Sequence, residues 1–248
     1  MTEANSRPIA LVTGGTRGIG RAISLRLAAD GYHVIANYKS RLPEAEETCR
    51  LILDAGGEAT AVQADVTVKE DVQRLFNEIR SLRRPLRVLI NNAGRLYEAL
   101  FALTPADQFF HIMQANLMGA VLCSQAAIRL MLAEHRGSII NISSTASLRA
   151  PLGLSAYAAS KAALNSLTRT MARELVSKGI RVNAVAPSWT ETEMIEGANL
   201  EAVREAARRL PLGRLNTPEE IATAVSMLVR DDMTAMIGQV VPLDGGGA

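Results

Sequence analysis

The sequence predicts a doubly wound α/β fold: a mostly parallel sheet of seven strands with helices on both faces. Three observations predict it. Apolar runs of four to six residues alternate with longer helical patterns from one end of the chain to the other. Several of those runs are apolar on both faces and rich in Val and Ile, as buried parallel strands are. The composition is 48% hydrophobic but only 4% aromatic, so the core has to be built from Ala, Val, Ile and Leu.

The strand candidates, in order, are "PIALVT" (8–13), "YHVIANY" (32–38), "GEATAVQAD" (57–65), "RVLINNAG" (87–94), "GSIINIS" (137–143), "IRVNAVAP" (180–187) and "GQVVPLDGG" (238–246). Between the first four lie helical stretches, "GRAISLRLAADG" (20–31), "EAEETCRLILDAGG" (44–57) and "KEDVQRLFNEIRSL" (69–82). The first two end in Gly, a common stop signal for a helix. Strands that alternate with helices in this way join by right-handed crossovers. No linker, internal repeat or low-complexity segment interrupts the pattern, so residues 1–248 read as a single domain.

Net charge is +2, from 27 basic and 25 acidic residues, and no block of like charge stands out. Neither nucleic acid nor a membrane surface is therefore expected as a partner. The short basic groups at 80–87 and 204–210 read as solvated faces. Cys49 and Cys123 lie far apart with no metal-type spacing, which suggests free thiols in a reducing compartment and no bound metal. No apolar run preceded by positive charge opens the chain, and nothing approaches the ~18 apolar residues of a membrane span. A cytoplasmic protein is expected.

The first strand runs directly into "TGGTRGIGRAISLRLA", where Gly14, Gly18 and Gly20 fall at the turn into a helix. Glycine permits the backbone angles of such a turn and lets the main chain approach a pyrophosphate. The helix start adds free N–H groups and the positive end of its dipole. The spacing is G-x-x-x-G-x-G, a variant of the common dinucleotide fingerprint. Thr16, Arg17 and Ile19 belong to the same turn. The fold is thus expected to be of the Rossmann type, with a dinucleotide on this loop. The end of the second strand, where an acid would hold a ribose 2′-hydroxyl, reads Asn37, Tyr38, Lys39, Ser40, with no acid. A 2′-phosphate is welcomed by Arg17 and Lys39, so NADP(H) is the expected cofactor.

Tyr157 and Lys161 stand four apart in the helical stretch 155–167, on one face of the helix. An ammonium beside a phenol favours the phenolate and pulls its pKa down from about 10. Such a tyrosine passes protons to and from a substrate oxygen.

"TGGTRGIG" (13–20), "NNAG" (91–94), Asn116 in "NLMG", "NISS" (141–144), "YAASK" (157–161) and "RVNAVAP" (181–187) follow one another along nearly the whole chain. In this order they resemble the short-chain dehydrogenase/reductases, and within that family the 3-oxoacyl-[acyl-carrier-protein] reductases. The resemblance implies that Tyr157 is the general acid of reduction and that Lys161 lowers its pKa and holds the nicotinamide ribose. It implies that Ser144, thirteen residues before the tyrosine, binds the substrate carbonyl, and that Asn116 anchors a water relaying protons to Lys161. Asp65 and Val66 would hold the adenine. Asn92, Ala93 and Gly94 would line the cofactor, with Pro187, Thr190 and Thr192 at its nicotinamide end.

The expected activity is therefore NADPH-dependent reduction of a β-ketoacyl thioester on acyl carrier protein or coenzyme A. A sugar or alcohol dehydrogenase of the same family, or a silent NADP-binding regulator, are the alternatives. Ser188 stands where the family usually has Gly. Arg95 and Arg149, with His135, Arg136 and Lys178, are expected around the active-site mouth, where a carrier's phosphate arrives. Residues 189–210, with Trp189, Met194 and Ile195, are expected to form a flap over the substrate. The apolar helices at 109–132 and 157–176 have more apolar positions than one buried stripe needs, and the family pairs them in a homotetramer.

Overall fold

The computed structural model describes residues 7–192, 205, 207, 208 and 210–247. Seven strands form one wholly parallel sheet: β1 (Ile9–Val12), β2 (His33–Tyr38), β3 (Glu58–Gln63), β4 (Leu86–Asn91), β5 (Gly137–Ile142), β6 (Ile180–Pro187) and β7 (Val240–Leu243). Their order is β3-β2-β1-β4-β5-β6-β7, with each neighbouring pair in parallel register. Each expected strand is present: β6 matches in full, β4 begins one residue earlier and ends sooner, and the others are trimmed where the chain turns. The order reverses between β1 and β4. That is the switch point at which an open α/β sheet leaves a crevice beyond the carboxyl ends of its strands.

Alternation along the strands makes the two layers. Ile9, Leu11, Ile139 and Val182 point to one face, against α3 (Lys69–Ser81), α5 (Gly119–Glu134) and α7 (Ser155–Leu175). Ala10, Val12, Ile140 and Val185 point to the other, against α1 (Gly18–Ala29) and α8 (Pro218–Val229). Each fully buried Val, Leu or Ile side chain contributes about 1.5–3 kcal/mol. The remaining helices with described bounds are α2 (Leu42–Asp54), α4 (Ala106–Met113) and the short α6 (Ala146–Arg149). α8 opens on a reciprocal cap, Thr217 and Glu220 each bonding the other's backbone N–H. Cys49 and Cys123 are both free, and burial pushes the Cys123 thiol up to about 12.

One sequence expectation is corrected here. Residues 106–134 form a continuous helical run of 29 residues, long and apolar enough by length and composition to cross a membrane. Its Cys123, Ala127 and Met131 are fully buried on the sheet, which accounts for one apolar face. Phe110, Met118 and Leu132 are exposed. The run includes a π turn, Gln114–Met118, and Asn116 sits in it. Such bulges are frequent at functional sites.

Candidate active site

The glycine turn is held open by its neighbours on both sides. Gly14 and Gly18 adopt φ of +59° and +49°, in the left-handed region that favours glycine. From β2, Asn37 accepts from Gly14 N–H at 3.3 Å through its side chain, and its carbonyl accepts from Gly15 N–H at 2.9 Å. Just past β4, Asn92 Nδ2 donates to the carbonyls of Thr13 (2.9 Å) and Gly14 (3.0 Å). The buried Thr13 hydroxyl accepts from the N–H groups of Asn92 and Ala93. The Thr16 carbonyl is tied by Arg21 and Thr48. Gly20 is obligatory, since a Cβ there would lie 2.0 Å from the Gly14 carbonyl oxygen.

Helix α1 therefore begins at the crevice. No side chain caps it and no acid occupies its first turn. Unclaimed N–H groups and the positive dipole end face the place where a pyrophosphate would sit, and the residues present fit a dinucleotide.

The ends of β2 and β3 hold the other expected cofactor residues, with a pairing the sequence did not disclose. Lys39 Nζ lies 2.6 Å from Asp65 Oδ2. Asp65 Oδ1 also accepts from Thr67 N–H and hydroxyl. Burial raises the Asp65 pKa, but Lys39 and Thr67 outweigh it and hold the carboxyl below its ordinary value. Lys39 thus enters any 2′-phosphate site already neutralised in part. Arg17, Tyr38 and Ser40 stand nearby at the surface, and Arg17 acts electrostatically on Glu44. Val66 is buried against Gly119.

Beyond β4, β5 and β6 lies a cavity of about 360 Å³, lined by Ile19, Asn92, Gly94, Ser144, Tyr157, Lys161, Pro187, Thr190 and Thr192 among others. Ser143 and Ser144 follow β5 and divide the work. Ser143 is buried and donates to the Lys161 carbonyl at 3.4 Å. Ser144 stands beside the Tyr157 phenol, where its hydroxyl favours the phenolate. Tyr157 and Lys161 lie one turn apart on α7, which closes the cavity.

The electrostatics differ from the sequence expectation. Burial raises the Tyr157 pKa and outweighs the lowering hydrogen bond from Ser144. Lys161 does not pull it down: its Nζ is 5.8 Å from the ring centroid and donates to the Ile142 carbonyl at 2.7 Å. The ammonium is enclosed with that one protein acceptor among the described residues, and burial lowers its pKa to about 8.

Asn116 is 1% exposed, and both its amide donors are used, on Arg95 O and Ser160 Oγ, each at 3.0 Å. Its Oδ1 accepts from Arg95 N–H at 2.7 Å. The side chain pins the 94–95 loop to α7.

Arg95 and Arg149 do line the cavity. Arg149 is spent on an ion pair with Asp244, which ties the C-terminal segment to the cavity wall. His135, Arg136 and Lys178 are not at the mouth. They precede β5 and β6, at the amino ends of the strands and so at the opposite edge of the sheet. Ser188 has no left-handed backbone, so serine stands there without strain. Trp189 packs on Ala207 and Leu215. Met194, Ile195 and most of the expected flap lie outside the described residues.

The sequence reading missed the frame behind the site. Asn91 Nδ2 bonds Asn141 Oδ1 at 2.8 Å, and Asn141 Nδ2 bonds Thr168 Oγ1 at 2.8 Å, all buried. Asn at or next to the end of each apolar strand, in "LINN" and "IINIS", was its signal.

A parallel sheet with a glycine-turn crevice at its switch point, and a tyrosine and serine beside it, defines a nucleotide-dependent oxidoreductase architecture. A family model described as "Enoyl-(Acyl carrier protein) reductase" matches residues 14–247, and the chain belongs to the short-chain dehydrogenase/reductase family. It is an oxidoreductase of the kind that works with a nicotinamide cofactor. The 3-oxoacyl-[acyl-carrier-protein] reductase of Synechocystis sp. is 39% identical over 239 residues, covering 96% of both chains. The uncharacterized oxidoreductase YgfF of Escherichia coli is 38% identical, covering 96% of this chain and 99% of its own. The 3-oxoacyl-[acyl-carrier-protein] reductase FabG of Staphylococcus aureus is 36% identical, covering 96% of both.

Proposed function

We propose that this chain is an NADPH-dependent reductase of β-ketoacyl thioesters, carried on acyl carrier protein or coenzyme A. The observation that carries the reading is that Ser144, Tyr157 and Lys161 line one cavity beside the glycine turn. The names of two relatives above support the substrate class.

Gly14, Thr16, Arg17, Gly18, Ile19 and Gly20 hold the pyrophosphate. Tyr38, Lys39, Ser40, Asp65 and Val66 receive the adenosine end, and Asn92, Ala93, Gly94, Pro187, Thr190 and Thr192 line the rest. The cofactor supplies a hydride to the carbonyl carbon. Tyr157 donates its phenolic proton to the carbonyl oxygen. A raised pKa suits this direction, because the phenol stays protonated until the oxygen gains charge. Ser144 donates a hydrogen bond to the same oxygen and stabilises the charge that develops there. Lys161, with a pKa of about 8, exchanges a proton near neutral pH and returns it toward Tyr157. Asn116 positions the 94–95 loop against α7.

NADP(H) is favoured over NAD by the missing acid at the end of β2 and by Arg17, while the Lys39–Asp65 pair tempers the preference. A second reading, reduction of an enoyl thioester, draws on the description of the family model. It has less support, because the relatives above that are named by activity are 3-oxoacyl reductases. A cytoplasmic homotetramer completes the proposal. Phe101, Leu103 and Phe110 are each more than 70% exposed and would be covered on assembly.

The test is a turnover screen of 3-oxoacyl thioesters, 2-enoyl thioesters, sugars and cyclic ketones, each with NADPH and NADH. Highest kcat/KM for a 3-oxoacyl thioester with NADPH is the expected result. Preference for any other class overturns it.

A further inference from the structure

A second cavity, of about 630 Å³, lies at the opposite edge of the sheet, at the amino ends of the strands. It shares no lining residue with the cavity beside Tyr157. Its volume is in the range that holds a small organic molecule.

The walls combine charge with apolar surface. Arg87 on β4, Arg136 before β5 and Arg181 on β6 bring three guanidinium groups to it, against the single carboxylate of Asp231. Two of the three are committed. Arg136 forms a paired ion bridge with Asp231. Arg181 caps the end of α8, donating to the carbonyls of Leu228 and Arg230 at 2.8 Å each. Arg87 is held loosely, with two contacts of 3.4 Å, to the Arg136 carbonyl and the Glu134 carboxylate. Its fork is the one readily turned to another acceptor.

A further group points to a ligand. Ser138, on β5, lines the cavity and is 3% exposed, yet among the described residues its hydroxyl has no hydrogen-bond partner. Buried hydroxyls without a partner are rare and costly. Tyr32 also lines the cavity, and burial, with Asp231 and Asp30 nearby, raises its pKa. It therefore stays a phenol able to donate. Pro8, Pro85, Val176 and Ile237 supply an apolar wall.

We propose that this cavity binds a small carboxylate with an apolar body. The carboxylate takes the Arg87 fork and the Ser138 hydroxyl, and the body lies on the proline-rich wall. A carboxylate suits a planar guanidinium better than a neutral head group does. An apolar body distinguishes such a ligand from a bare inorganic anion.

Isothermal titration of octanoate into the whole protein tests this, with 1-octanol and inorganic phosphate as comparison probes. Octanoate is expected to bind one-to-one, and 1-octanol at least about tenfold more weakly, the loss of one charge-assisted hydrogen bond. Arg87→Met is expected to weaken octanoate by a similar factor. Ser138→Leu, which fills the cavity from β5, is expected to abolish binding. Tyr157→Phe is expected to bind octanoate as the parent does, separating this cavity from the reaction site. Near-UV circular dichroism checks that the variants are folded. Absence of octanoate binding to the parent overturns the proposal. So does undiminished binding to folded Arg87→Met and Ser138→Leu. Phosphate binding as tightly as octanoate would make the cavity a bare anion site and overturn it equally.

Discussion

Replacing Lys161 by Met should make the protein more stable while it loses activity. Lys161 is enclosed on α7 and its ammonium reaches one protein acceptor, the Ile142 carbonyl. Burial lowers its pKa from 10.5 to about 8. At about 1.36 kcal/mol per unit, holding the proton in the folded state costs about 3 kcal/mol. The sign follows from proton counting. Below pH 8 the lysine is charged in both folded and unfolded chains, so the full cost is present. Between pH 8 and 10.5 the folded chain gives up its proton first, so stability rises with pH through that window. Met keeps the length and apolar stem of the side chain without the charge. It loses the hydrogen bond to Ile142, about 1 kcal/mol. The net expectation is a variant more stable by about 2 kcal/mol at pH 7, with the advantage gone by pH 10. Urea unfolding of both proteins at the two pH values measures it. A Met variant less stable at pH 7, or one whose advantage does not change with pH, would refute the reasoning.

Three further outcomes follow from the same geometry. Tyr38→Asp places a carboxylate at the end of β2 and should shift kcat/KM from NADPH toward NADH by about tenfold or more; an unchanged cofactor ratio in steady-state kinetics would sink the adenosine-end assignment. Gly20→Ala puts a Cβ 2.0 Å from the Gly14 oxygen and 2.6 Å from Asn92 Nδ2, so the turn must shift. NADPH should then bind at least about tenfold more weakly by fluorescence titration, since overpacking costs roughly 1–3 kcal/mol. Arg95→Ala should raise KM for an acyl-carrier substrate and spare a small neutral ketone, whereas Arg149→Ala, which frees Asp244, should lower kcat/KM for both. The reverse pattern would exchange their roles.

What the sequence made legible is what depends on neighbours along the chain. The glycine turn, the two-faced strands and the Tyr157–Lys161 spacing are local, and each reappears in the fold. What escaped depends on pairings across the sheet. Lys39 meets Asp65 only because β2 and β3 lie side by side, and Arg149 meets Asp244 across 95 residues of chain. His135 and Lys178 read as mouth residues by resemblance, yet each precedes a strand, which puts it at the amino edge of a parallel sheet. The direction of the Tyr157 shift was also hidden. Spacing places an ammonium nearby, but only the packing of α7 on β5 shows that burial dominates and that Lys161 turns to Ile142.

The central claim is that Tyr157 gives the proton to the reduced carbonyl, and single-turnover reduction of a 3-oxoacyl thioester by Tyr157→Phe tests it most directly. Loss of the phenolic proton should slow hydride transfer by at least ~10²-fold while NADPH binds as it does to the parent. A Phe variant that reduces the thioester at near-parent rate would contradict the account.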